Sequence, residues 1–309
     1  MAGRTPRWAD IVAMAGAAES IGLDAVWVSD HVGFGDPGGD WTGAWESWTL
    51  LSALAASTER VHLGTYVLCT PFRNPTLLAK MADTLDEVSG GRLVLGLGAG
   101  WNEVEFEAYG VDFAGRFDHL EDSLRIIAGM LRAGTVTHAG PAARAREARL
   151  APRGPRPAGP PIMVGAGGPR LLRLTAELAD RWNGGLRRVD EVPALLARVD
   201  EACRSVGRDP ATLARSVETL VRVLPAAADE PAEERELRGS PRELAAAFLA
   251  YGELGIDELQ VQLRPNTVAA VRAFADVLVA LDEPGGLNRT APGGRLGAGR
   301  TGRPRRPRR

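Results

Sequence analysis

The chain has 309 residues, of which 45% are hydrophobic and 25% are charged, a composition typical of a globular protein. Its two cysteines, Cys69 and Cys203, lack the spacing of metal ligands, which argues against a disulfide framework or a zinc site. No apolar run approaches the roughly 18 residues of a membrane span, and the N-terminus lacks the layout of a signal peptide. We therefore expect a cytoplasmic protein that binds no metal ion and does not associate with a membrane.

The net charge of −2 is unevenly distributed along the chain. From residue 283 onward there are eight arginines and one glutamate (+7), so residues 1–282 carry −9. Residues 283–309 are rich in Gly, Pro and Arg and too poor in large apolar side chains to form a core, which predicts a disordered tail. A basic tail can bind nucleic acid, but a solvated extension is the expected reading, and we assign the folded domain to residues 1–282.

Strand and helix signals alternate from the first helix onward. Trp8, Ile11, Val12, Ala15, Ala18 and Ile21 recur at helical spacing, and Gly22 stands where a C-cap glycine belongs. The predicted helices are 8–21, 45–57, 75–88, 102–109, 116–132, 169–179, 191–206, 241–253 and 267–281. The predicted strands are 24–29, 61–68, 92–97, 161–165, 181–184, 216–224 and 258–263.

This alternation predicts an α/β fold with a parallel sheet, and the number of units favours a TIM (β/α)₈ barrel. Seven strands are found, and the missing one would precede the first helix, where residues 1–5 cannot supply it. We expect a misplaced start or a true truncation, with unpaired strand edges at the resulting seam. Residues 134–160 show little periodicity and are expected to form an insertion or a mobile loop.

Glycines end two of the predicted strands. Gly98, Ala99, Gly100 and Trp101 follow the third strand, and Gly165, Ala166, Gly167 and Gly168 follow the fourth. Glycine lets the backbone approach a ligand closely, and Pro169 would open a helix whose free N–H groups form an anion site. Because strand ends of a barrel meet at one mouth, both loops are expected to contact one large phosphorylated ligand, although a tight turn without a ligand remains the alternative.

His31 is the strongest proton-transfer candidate at the strand ends. It follows a buried strand and Asp30, and a histidine can move one proton near neutral pH. The alternative is a structural histidine that caps the next turn. Trp41, Trp45 and Trp48 either wall a pocket or pack as a helix stripe.

Five segments together resemble the bacterial luciferase-like monooxygenase family, in particular its coenzyme F420-dependent oxidoreductases. The resemblance runs from about residue 8 to residue 281. The segments are Leu23-Asp24-Ala25-Val26-Trp27-Val28-Ser29-Asp30-His31, Arg73-Asn74-Pro75 with Ala79-Lys80, Ser89-Gly90-Gly91-Arg92 through Gly100-Trp101, Pro160-Pro161-Ile162-Met163-Val164-Gly165, and Ala179-Asp180-Arg181-Trp182-Asn183.

The resemblance implies a TIM barrel with an insertion and a deazaflavin or flavin across its mouth. Asp30 would contact this cofactor, its phosphate would rest on Gly165–Gly168 and Gly98–Gly100, and Tyr66 and Val67 would form a bulge with a non-prolyl cis peptide behind the ring. His31 matches a histidine near the reactive ring of sugar-phosphate dehydrogenase relatives. Those relatives also use a glutamate after the glycine turn; Trp101 takes its place here, and Glu103 is only an approximate substitute.

The expected function is hydride transfer between bound F420 and a small organic substrate, with His31 as acid or base. An FMN-dependent monooxygenase and a catalytically inactive ligand-binding barrel are the alternatives. A homodimer is expected.

Overall fold

The computed structural model describes residues 5–35, 40–224 and 232–283, and places ten α-helices and thirteen strands in them. The helices are α1 (Trp8–Ile21), α2 (Ser47–Ser57), α3 (Pro75–Ser89), α4 (Glu103–Ala108), α5 (Arg116–Ala133), α6 (Pro169–Leu178), α7 (Val192–Ser205), α8 (Pro241–Glu253), α9 (Val268–Ala273) and α10 (Ala275–Asp282). The strands are β1 (Ala25–Ser29), β2 (Gly33–Gly35), β3 (Trp41–Gly43), β4 (His62–Tyr66), β5 (Leu68–Cys69), β6 (Leu93–Gly98), β7 (Thr135–Ala139), β8 (Arg144–Arg149), β9 (Ile162–Gly165), β10 (Arg181–Leu186), β11 (Ala214–Val223), β12 (Glu236–Gly239) and β13 (Glu258–Leu263).

Nine of these strands form one parallel sheet in the order β1-β4-β6-β9-β10-β11-β12, in which β13 also pairs with β11 and β5 with β6. Every residue of β6 is buried, as expected for a strand covered on both faces. Three strands separate β4 from β11, yet Tyr66 on β4 donates a hydrogen bond to Glu218 on β11. The sheet is therefore curled into a half-barrel, which confirms the predicted parallel α/β architecture.

The two outer strands of the half-barrel leave a seam. In the described part of the chain, β1 pairs only with β4, and β13 pairs only with β11. The helical layer is closed over this seam, because Ala17 and Ala18 of α1 pack against Val271 of α9. The seven predicted strands correspond to β1, β4 with β5, β6, β9, β10, β11 and β13, and the seam between β1 and β13 agrees with the sequence prediction.

Local signals fix the start of the helices next to the strand ends. Asn74 accepts hydrogen bonds from the backbone N–H groups of Thr76 and Leu77, and Pro75 takes the first helical position of α3. Gly168 occupies the N-cap of α6 without any side chain that could cap the first turn, and Pro169 follows it. Gly168 therefore supplies no side-chain cap to the first-turn N–H groups of α6.

The insertion at residues 134–160 contains an ordered hairpin, so the alternative of a mobile loop is wrong. Strands β7 and β8 pair antiparallel, and Asp122 of α5 holds their connection. One carboxylate oxygen of Asp122 lies 2.8 Å from His138 Nε2, and the other accepts from the N–H groups of Ala142 and Ala143. This hairpin is anchored by a buried carboxylate that periodicity does not reveal.

A one-residue bulge separates β4 from β5. Leu63 pairs with Leu93, whereas Leu68 pairs with Leu97, so five residues on one strand face four on its neighbour. The bulge predicted at Tyr66 and Val67 is thus confirmed. The accompanying non-prolyl cis peptide is a wrong prediction, because the cis bonds among the described residues are Ala151–Pro152 and Arg264–Pro265.

Among the residues that the structure describes, no helix combines the length and apolarity that crossing a bilayer requires. The last described residue is Glu283, so the prediction of a disordered tail falls outside the described residues from 284 onward.

Candidate active site

Two glycine-ended strands meet at one edge of the sheet. Strands β6 and β9 are direct neighbours, and their pairing continues to Leu97 and Val164, one residue before Gly98 and Gly165. Val67 lies beside both glycines: a Cβ on Gly98 would stand 3.2 Å from Val67 Cγ2, and one on Gly165 would stand 3.1 Å from Val67 Cγ1. The absence of these two Cβ atoms makes room for an apolar side chain between the strand ends.

The predicted site residues after these strands have different surroundings. Gly100 has a φ of 78°, and a Cβ there would lie 2.7 Å from both Cys69 Sγ and the Phe106 ring, so this glycine is required by packing. Ala99 and Ala166 are buried. Gly167 and Gly168 are exposed, with open space where a Cβ would stand. The Arg198 guanidinium donates to the carbonyl oxygen of Gly167 and adds positive charge beside the open end of α6.

The Asp30 carboxylate accepts four hydrogen bonds from neighbouring protein groups. It accepts from Arg73 Nη1 at 2.6 Å, Arg73 Nη2 at 2.8 Å, Ser47 Oγ at 2.5 Å and the Cys69 backbone N–H at 2.8 Å. Burial opposes the charge of Arg73, but its hydrogen bonds to Asp30 and Glu46 raise the pKa of the guanidinium. This arrangement fixes the backbone from which His31 projects.

His31 is oriented by a carboxylate that sequence reasoning missed. Glu105 Oε2 lies 2.9 Å from His31 Nδ1, and Glu105 Oε1 accepts from the N–H groups of Val32 at 2.6 Å and Gly33 at 3.1 Å. Glu105 is 3% exposed, whereas Glu103, the substitute suggested by the sequence, is exposed on the first turn of α4. With Nδ1 engaged, Nε2 is the ring nitrogen left for proton transfer.

Buried polar side chains that are hydrogen-bonded to one another also lie at the mouth of the half-barrel. Asn183 Nδ2 donates to Gln260 Oε1 at 2.8 Å and to Ser216 Oγ at 3.1 Å. Beside them Tyr66 donates to Glu218 Oε2, and no hydrogen-bond partner for Glu218 Oε1 is found in residues 5–35, 40–224 and 232–283. Burial raises the pKa of Glu218, and burial next to Glu218 raises the pKa of Tyr66.

Cys69, which also follows a strand end, is not suited to nucleophilic chemistry. It is 4% exposed, and burial together with the charge of Asp30 raises its pKa to about 12. The thiol is therefore protonated at neutral pH, and His31 remains the group suited to move a proton there.

A family model described as luciferase-like monooxygenase matches residues 1–275. The chain belongs to the luciferase-like monooxygenase family. The family assignment inferred from the five sequence segments is thus confirmed.

Relatives within the luciferase-like family include an F420-dependent glucose-6-phosphate dehydrogenase of Amycolatopsis mediterranei, 34% identical over 178 residues that cover 55% of this chain and 51% of that protein. A 5,10-methylenetetrahydromethanopterin reductase of Methanolobus tindarius is 30% identical over 194 residues, 62% of this chain and 55% of that protein. The chain thus spans about half the length of the curated relatives it matches.

A solved structure supports the same fold. It is described as an F420-dependent secondary alcohol dehydrogenase in complex with an F420-acetone adduct, and it matches with a TM-score of 0.78. The match covers 90% of this chain and 96% of that one at 19% sequence identity. At this identity the likeness establishes the architecture of this luciferase-like protein.

The residues at the mouth of the half-barrel in this luciferase-like protein fit a planar phosphorylated cofactor. Val67 offers an apolar surface between two glycines, and Gly167 and Gly168 leave backbone exposed before α6. Glu218 carries a buried oxygen that has no hydrogen-bond partner within the described ranges. Among the described residues there is no group of three His, Cys, Asp or Glu side chains that could hold a metal ion. Polar groups, an apolar surface and the exposed backbone before α6 therefore lie at one edge of the sheet.

The raised pKa of Glu218 predicts that the stability of the protein without a ligand depends on pH. Because its folded pKa is raised, the native state holds this proton more tightly than the unfolded chain does. The stabilisation is present below the unfolded value of about 4.3 and is lost as pH rises through the folded pKa. Glu218→Gln should abolish this loss, so the free energy of unfolding in urea should fall less steeply with rising pH than in the wild type. Parallel pH profiles for the two proteins would contradict the prediction.

Proposed function

We propose that this protein catalyses hydride transfer between bound coenzyme F420 and a small organic substrate. The observation that carries the proposal is the His31–Glu105 pair, 2.9 Å apart, at the same sheet edge as the two glycine-ended strands. The family and the F420-dependent relatives support it. A deazaflavin supplies hydride chemistry when bound, and the protein supplies binding, orientation and proton transfer.

The roles of the residues follow from their surroundings. Gly165, Ala166, Gly167 and Gly168, with the N-terminus of α6 and Arg198, would hold the phosphate. Val67, Tyr66 and the turn from Gly98 to Trp101 would border the ring. His31 Nε2 would take or give the proton at the substrate oxygen, while Glu105 keeps Nδ1 protonated and the ring in place.

FMN-dependent monooxygenation is the second candidate, supported by the description of the family model. The two candidates share the phosphate site and differ in the ring and in the use of oxygen. Equilibrium binding of F420 and of FMN, each oxidised and reduced, to the purified protein separates them. We expect stoichiometric binding of F420; stoichiometric FMN binding without F420 binding would favour the monooxygenase, and binding of neither would overturn both.

The phosphate site is tested by Gly167→Asp. A Cβ there meets no atom within 4 Å, so the variant should fold, while its carboxylate would repel a phosphate. We expect the Kd of F420 to rise about tenfold or more, equivalent to about 1.4 kcal/mol. Gly252→Asp, at an equally open position on α8, is the matched control and should leave the Kd unchanged. Equal effects of the two substitutions would argue against phosphate binding at this loop.

A further inference from the structure

Two exposed aromatic rings flank His31. The centroid of the Phe34 ring lies 4.4 Å from that of the imidazole, and the centroid of the Trp101 ring lies 5.5 Å from it in an edge-on arrangement. Phe34 is 43% exposed and Trp101 is 69% exposed, which is unusual for side chains of this size. Large exposed apolar surface of this kind marks a binding surface.

The local structure holds the rings beside the histidine. Gly33 lies against the Trp41 indole, since a Cβ on Gly33 would fall 2.3 Å from Trp41 Cε2, and its N–H is bound by Glu105. Phe34 follows directly on the same strand, β2. Glu105 therefore fixes both the imidazole and the short strand that carries Phe34.

Two apolar rings therefore flank the imidazole in the part of the chain that the structure describes. Glu105 engages Nδ1, and the nearest rings to His31 are the two exposed aromatic side chains. The aromatic ring of Trp101 offers no carboxylate or carbonyl oxygen to accept hydrogen bonds from the hydroxyl groups of a polyol, but it gains free energy by covering alkyl or aryl groups.

We propose that Phe34 and Trp101 select an apolar substrate, an alkyl or aryl alcohol or the corresponding carbonyl compound, by covering its hydrocarbon part while its oxygen faces His31. The inference rests on the proposed function for the role of His31 and adds the class of substrate. Phe34 and Trp101 are specificity residues in this assignment. A second copy of the chain is the rival occupant of the aromatic surface.

The test uses the series propan-2-ol, hexan-2-ol and octan-2-ol, with glucose 6-phosphate as the polar comparison, and measures binding by calorimetry. Burial of each methylene is worth about 0.8 kcal/mol, so Kd should fall about fourfold per added CH₂. Trp101→Ala and Phe34→Ala should each reduce this factor toward one. Trp101→Phe keeps a ring and should retain most of it, which separates loss of the surface from misfolding.

Tyr109→Ala is the matched control, because Tyr109 is an aromatic residue of similar exposure at 57% that contacts Phe72 instead of His31. The Tyr109→Ala variant should keep the fourfold fall of Kd per added CH₂. A Kd independent of chain length, tighter binding of glucose 6-phosphate, or equal effects of the Trp101 and Tyr109 substitutions would overturn the assignment. A shift of sedimentation coefficient in Trp101→Ala at constant protein concentration would overturn it in favour of self-association.

Different results would refute the proposed hydride transfer and the proposed apolar substrate. Stoichiometric F420 binding without any chain-length dependence would refute the apolar substrate and leave hydride transfer in place. Chain-length dependence in a protein that binds neither F420 nor FMN would refute the proposed function and support the apolar site.

Discussion

Substitution of His31 by alanine is expected to lower kcat/KM by about 10²- to 10⁴-fold, the usual contribution of a positioned acid or base. The Kd of F420 should change little, because the proposed phosphate contacts lie in the Gly165–Gly168 loop and at the N-terminus of α6. The measurement is kcat/KM for reduction of F420 with the secondary alcohol that binds most tightly. His62→Ala is the control, since His62 begins β4 and its Nδ1 lies 3.3 Å from the Arg92 carbonyl oxygen.

Glu105→Gln tests whether proton transfer by His31 depends on the orientation that Glu105 gives to its ring. The amide has one acceptor oxygen in place of two, so it cannot serve the imidazole and the N–H groups of Val32 and Gly33 together. We expect a smaller loss of kcat/KM than in His31→Ala, on the order of tenfold, and no further loss when Glu105→Gln is added to His31→Ala. A Glu105 that acts independently of the histidine would lower kcat/KM in the double variant as much as it does alone, and full activity of His31→Ala would refute the proton-transfer role.

Asp30→Asn is expected to destabilise the protein by about 3–5 kcal/mol, the cost of removing one partner from a buried ion pair. Asp30 is 7% exposed, and the Arg73 side chain is only 15% exposed. The variant would leave the guanidinium with Glu46, 2.7 Å away, as its remaining carboxylate partner among the described residues. The free energy of unfolding in urea measures the effect.

Asp118→Asn provides the matched surface comparison for Asp30. Asp118 also pairs with an arginine at 2.6 Å, but both side chains are about half exposed, at 47% for Asp118 and 55% for Arg170. Such a pair should be worth at most about 1 kcal/mol. If the two substitutions cost the same, Asp30 does not act through a buried ion pair. If Asp30→Asn keeps its stability and loses F420 binding, Asp30 contacts the cofactor as the sequence predicts.

Apolar periodicity was sufficient to predict the units of the half-barrel. Runs such as Leu93–Gly98 are continuous because both faces are covered, and their terminal glycines mark the strand ends. Two hairpins are not predicted, because their strands lack a clear apolar pattern. Gly33–Gly35 is short and glycine-rich, and Arg144–Arg149 consists of arginine, alanine and glutamate without clear apolar alternation.

The site was predicted less completely than the fold. His31 and both glycine loops are visible as local sequence features, but their partners are distant in sequence. Glu105 lies 74 residues from His31, and Glu218 lies 152 residues from Tyr66. One sequence carries no signal that joins such pairs. Glu103 and Glu105 are both glutamates on α4, and only the orientation of the helix decides which of them contacts His31.

The bulge between β4 and β5 has a consequence for the chemistry of the mouth. In a regular strand, neighbouring side chains point to opposite faces. Here Tyr66 reaches Glu218 across the half-barrel, while Val67, the very next residue, contacts Gly98 and Gly165 at the same mouth. One strand end thereby presents a hydroxyl group and a hydrocarbon surface side by side. Deleting a single residue at this point would restore regular alternation and turn one of these two groups toward the helices, so the length of this segment is as important as its composition.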